Sequence, residues 1–88
     1  MAVSRFTLND SEWTEINPGA AHVLLQVRSG AAILVQMTDT APDPEDVRGI
    51  IISNDFEPKI GLSDIPVGES VWARAQSGTE QIVDTIWS

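Results

Sequence analysis

Apolar and polar residues alternate in short runs along this chain, and no stretch sustains a helical period. From Ala2 to Leu8, Val3, Phe6 and Leu8 mix with Ser4, Arg5 and Thr7, which fits a short strand before the Asn9-Asp10-Ser11 turn. A second strand, Trp13 to Ile16, stops at Asn17-Pro18-Gly19. The run His22 to Arg28 and the run Ala31 to Thr38 flank Ser29-Gly30, a spacing that predicts a central β-hairpin with glycine available for positive φ. Val23, Leu24, Leu25 and Val27, opposite Ile33, Leu34 and Val35, suggest strands covered on both faces. Pro42 and Pro44 make Asp39 to Asp46 a polar loop, expected to cross between sheets or reach toward a partner. Arg48 to Ser53 reads as a buried strand, Asn54 to Pro58 as a turn and Lys59 to Leu62 as a short edge strand. In the last stretch, Val71, Ala73 and Ala75 alternate with Trp72, Arg74 and Gln76, Ser77-Gly78 supplies a turn, and a second alternating run ends at Trp87.

All five prolines fall in or beside the proposed loops, where a missing N–H does least harm to a ladder. The fold class expected is all-β, a small antiparallel sandwich or barrel of about eight short strands in a single domain spanning residues 1–88. LQVRSGAAILVQ from Leu25 and ARAQSGTEQIVD from Ala73 share a strand, Ser-Gly, strand layout. Two hairpins using one favoured turn dipeptide explain this more simply than a duplication does.

If the terminal hairpin turns at Ser77-Gly78, Trp72 falls opposite Val83 and Arg74 opposite Gln81. One face then carries Trp72, Arg74 and Val83, and the other carries Val71, Ala73, Ala75 and Ile82. A hairpin that is apolar on both faces needs two covers, and a neighbouring subunit is a candidate for the second. Trp72, Arg74, Val83 and Trp87 are therefore the expected interface residues, since tryptophan and arginine are enriched where partners meet. The competing reading makes Trp72 an internal core residue with Arg74 snorkelling beside it.

With 88 residues the core is limited, which makes self-association a natural source of added stability. Cysteine is absent, so disulfides and thiol chemistry are excluded for this sequence. A net charge of −8 without a Lys/Arg cluster argues against nucleic acid and anionic membranes as partners. The apolar runs fall short of a membrane span and MAVSRFTLND lacks a hydrophobic signal core, so a soluble protein made in a cytoplasm is expected. Asp39, Asp43, Glu45 and Asp46 lack the glycine and spacing of a calcium loop and read as a solvated surface. His22 is the only histidine, and no nucleophile motif accompanies it. No cofactor, metal or enzymatic activity is proposed by any motif.

GESVWARAQSGTEQIVDTIW near the end, SEWTEINPG near the start and QVRSGAAILVQMTDTAPDP in the middle resemble small structural proteins of tailed bacteriophages and prophages. The resemblance implies a virion protein synthesised in the host cytoplasm: a capsid decoration or cement protein, or a subunit of a head fibre, tail or tail fibre. It also implies a homo-oligomer, often a trimer, contacting other virion proteins. The alternative function is a tail or fibre module that binds carbohydrate by stacking a sugar ring on Trp13 or Trp87.

Overall fold

The computed structural model describes residues 2–17, 20–29, 32–53, 59–76 and 80–87, and among these described residues alternation resolves into eight strands and no helix. The strands are β1 (Ala2–Leu8), β2 (Thr14–Glu15), β3 (Val23–Ser29), β4 (Ala32–Thr38), β5 (Ile50–Ser53), β6 (Lys59–Leu62), β7 (Ser70–Ala75) and β8 (Gln81–Trp87). They form two four-stranded antiparallel sheets, β1-β8-β3-β6 (sheet A) and β2-β7-β4-β5 (sheet B), neither closed into a barrel. The fold is thus a β-sandwich, and its strand order is that of a double-sheet jelly roll. The pairing is nested: β1 with β8, β2 with β7, β3 with β6 and β4 with β5, and the β3/β8 and β4/β7 ladders complete the sheets.

Neither expected hairpin forms. β3 lies in sheet A and β4 in sheet B, and likewise β7 lies in sheet B and β8 in sheet A. Both Ser-Gly segments therefore join the two sheets; Gly30 and residues 77–79 lie outside the described residues. Turn residues encode a reversal of direction, and they do not encode whether the next strand pairs with its predecessor or faces it across a core. Here facing wins, because Leu25 and Val27 from one sheet and Ile33 and Val35 from the other then bury in one interior. Trp72 accordingly pairs with Gln36 and Glu15, and Arg74 with Leu34, while Val83 pairs with Phe6 and Val27.

Leu8, Ile16, Val23, Leu25, Val27, Ile33, Val35, Ile52, Ile65, Val71, Ala73 and Val83 make up the core cluster, with Phe6, Ile60, Leu62 and Trp87 packed at its margin. Period-2 alternation explains β3: Val23, Leu25 and Val27 are buried and Leu24, Gln26 and Arg28 exposed, so only one of its faces is covered. In β4, by contrast, Ile33, Leu34 and Val35 are all buried. The strand read as buried between Arg48 and Ser53 is an edge strand, with Ile52 inside and Ile50 and Ile51 exposed.

Asn17 anchors the connection leading out of β2. Fully buried, it accepts the Val71 N–H through Oδ1 at 2.9 Å and donates from Nδ2 to the Ala20 carbonyl at 3.0 Å. The neighbouring Ile16 N–H donates to the Val71 carbonyl at 2.9 Å. This polar side chain is tolerated inside because its donor and acceptor are both used.

Candidate functional site

The loop between β4 and β5 joins neighbouring strands of one sheet, so it does not cross between sheets as its composition suggested. It folds back over the outer face of sheet B and is fastened there by Trp13 and Arg74. The Trp13 indole N–H donates to the carbonyls of Asp43 and Asp46 at 3.2 and 3.1 Å. The Arg74 guanidinium donates to the carbonyls of Pro44, Asp46 and Asp10 and lies 5.6 Å from the centre of the Trp13 ring. Leu34, the ladder neighbour of Arg74, is buried too. Arg74 is only 5% exposed and is committed to its own chain, and Trp13, 8% exposed, offers no open ring for a sugar.

Val83, at 0% exposure, belongs to the core and leaves no surface for a neighbour. Only a β7–β8 hairpin would set it beside Trp72 and Arg74, and these strands lie in different sheets. Trp72 is half-buried on the outer face of sheet B, its indole nitrogen without a hydrogen-bond partner. Trp87 is half-buried against the core margin, its N–H 3.4 Å from Ser4 Oγ. The four expected interface residues are thus split among two sheets and the core.

The surface that sequence reasoning missed is the outer face of sheet A. Ladder register aligns Val3, Ile86, Leu24 and Gly61 in one row across all four strands. Val3 is 73% exposed, Leu24 49% and Ile86 39%. Beside it runs a second row of Arg5, Asp84, Gln26 and Lys59. Arg5 grips Asp84 through two hydrogen bonds of 2.6 and 3.0 Å, and Arg28 approaches the same carboxylate at 3.4 Å. The hydrogen bonds from Arg5, helped by the charges of Arg5 and Arg28, hold the Asp84 carboxyl below its usual range. Arg5, Arg28 and Lys59, three of the chain's five cations, thus stand on this face with one acid among the described residues, a locally positive surface on a protein of net charge −8.

Because Gly61 has no side chain, the row ends in a recess. An open groove of about 510 Å³ lies there, lined by His22, Leu24, Gly61, Leu62, Ile86 and Trp87 among others. A Cβ at Gly61 would meet Leu24 at an ordinary 3.7 Å.

Further exposed apolar residues lie along the edge of sheet B. Val47, Ile50 and Ile51 are each more than half exposed along the β5 edge, directly after the acidic run Asp43, Glu45 and Asp46. Within that run the hydrogen bonds from Arg48, at 2.9 and 3.0 Å, hold Asp46 well below the usual carboxylate range. Among the described residues, no three metal-ligating side chains come together.

Comparisons with family models, with curated proteins and with solved structures find no match to this chain.

Proposed function

We propose that this is a structural protein of a tailed-bacteriophage virion, a decoration or cement protein that binds the shell exterior and bridges neighbouring shell subunits. A bridge needs two separate contact surfaces. The observation that carries the reading is that the chain has two, the Val3–Ile86–Leu24 row on sheet A and the Val47, Ile50 and Ile51 edge on sheet B. Exposed apolar groups of this kind mark interaction sites when they cluster. The resemblance of the VWAR and Ser-Gly segments to phage structural proteins supplies the setting. The jelly-roll order agrees with it at the level of fold only, since viral capsid domains and lectins both use that order. A protein that binds only the assembled shell stabilises it by mass action, more so the tighter it binds.

The test compares heat resistance of shells with and without the protein, and with Leu24→Asp and Ile51→Lys variants. Wild type is expected to raise the bursting temperature, and each variant to lose most of that gain. Equal heat resistance with and without the wild-type protein defeats the cement reading.

A second reading is favoured by the groove beside Gly61 and Trp87: a tail or fibre module holding a carbohydrate there. Trp13 takes no part, being covered by Arg74. A glycan-array hit that Gly61→Leu abolishes supports this reading. No hits, together with unshifted tryptophan fluorescence, removes it.

A further inference from the structure

We infer that copies of this chain dock head to tail, the outer face of sheet A in one copy seated on the β5 edge of the next. The inference assigns the two surfaces of the bridging reading to a second copy of the chain in solution, where no shell competes for them, and does not depend on a virion setting.

Charge decides the pairing. On sheet A the apolar row is bordered by Arg5, Arg28 and Lys59 around Asp84, and on sheet B the apolar edge follows the exposed Asp43 and Glu45, Asp46 being paired with Arg48. Face against face sets two net-positive surfaces against each other, and edge against edge sets the Asp43 and Glu45 carboxylates of two loops against each other. Only face against edge joins apolar to apolar and cation to acid together. The net charge of −8 sharpens this choice, because the chains repel except where a positive patch meets an acidic one. The groove over Gly61 is a recess beside Leu24 and Ile86, and Ile50 and Ile51, more than half exposed, lie on an edge strand. The contact is heterologous, so each docked copy keeps one face or one edge available, and the assembly closes into a ring or grows as a chain.

The experiment is sedimentation equilibrium of the purified full chain at low salt and at about 1 M salt, where charges are screened beyond about 3 Å. Wild type is expected to associate, and high salt to weaken it. Leu24→Asp spoils the face and Ile51→Lys spoils the edge. Each alone is expected to weaken association by about tenfold or more. Mixed in equal amounts, they are expected to form a one-to-one dimer and stop there, because one supplies the intact edge and the other the intact face. Circular dichroism checks folding, and Val3→Asp and Ile50→Lys replace either variant that fails to fold.

A wild-type chain that stays monomeric at low salt up to about 1 mM overturns the inference. So does a pair of variants whose mixture forms no dimer, and so does association that is lost in Leu24→Asp but kept in Ile51→Lys, the mark of a face-to-face contact. Shell binding is read on particles rather than on free protein, so failure here is distinguishable from failure of the cement reading.

Discussion

Arg74 lies over the ring of Trp13, 5.6 Å from its centre, although sixty-one residues separate them in the chain. Together they pin the backbone of the β4–β5 loop to sheet B. The guanidinium is nearly buried and its hydrogen-bond partners are carbonyl oxygens. Arg74→Ala removes bonds made by a charged donor and exposes Leu34, which predicts a loss of about 2 to 4 kcal/mol. Lysine is not an adequate substitute, because an ammonium cannot present a fork to three separate carbonyls. Urea unfolding followed by tryptophan fluorescence measures this, and an unchanged midpoint in Arg74→Ala contradicts it.

Asn17→Ala strands the buried Val71 N–H and frees the Ala20 carbonyl. An unsatisfied buried donor costs about 1 to 3 kcal/mol, so the variant unfolds at a clearly lower urea concentration. Asn17→Asp keeps the acceptor but loses the donor, and is expected to fall between the two. Equal stability of Asn17→Ala and wild type rules out this role.

Acid stability follows from two opposed effects. Most of the thirteen acids repel one another, so protonation from neutral pH toward about pH 4 relieves repulsion and raises stability. Asp84 and Asp46 are held below their ordinary value by Arg5 and Arg48. Their contribution is fully present above the ordinary carboxylate pKa and is lost as pH falls through the depressed values. Stability is expected to peak near about pH 4 to 5 and to fall below that. In Arg5→Gln the acid fall is shallower, because less Asp84 stabilisation remains to be lost. Thermal midpoints from pH 2 to 7 decide it, and identical acid limbs in the two proteins count against the Asp84 pairing.

Gly49 opens β5 at φ +154°, where a Cβ would stand 2.8 Å from the Val35 carbonyl oxygen. Gly68, at φ +92°, has open space around it. Gly49→Ala therefore meets both backbone strain and a backbone clash, and Gly68→Ala meets strain alone. The first is expected to cost about 2 to 3 kcal/mol and the second about 1. Parallel denaturation curves for the two variants test that order, and it fails if Gly68→Ala is the worse of the two.

How far each feature was legible depended on the range of the interaction behind it. Strand alternation is local, and all eight strands were readable, but Leu24 among Val23, Leu25 and Val27 made β3 read as covered on both faces when only one is. Pairing is not local: β1 finds its partner at the far end of the chain, and no turn dipeptide encodes that. The Val3–Ile86–Leu24 row was invisible for the same reason, since three isolated apolar residues become a patch only through the registers of two long-range ladders. Tryptophan and arginine drew attention to Arg74 by residue type. Their type could not reveal that Trp13 and three carbonyls had already claimed it.

The nested pairing also sets a schedule for synthesis. β1 pairs only with β8 and β2 only with β7, so the first two strands made must wait for the last two. β8 stands between β1 and β3, so β1 cannot join sheet A until residues 81–87 leave the ribosome. Translation proceeds at roughly 5 to 20 residues per second, so the early strands spend seconds without partners. The polar residues interleaved in β1, Ser4, Arg5 and Thr7, keep that waiting strand in water. A nascent chain stalled before Gln81 holds every strand of the sandwich except the one that joins its outermost strand to the rest.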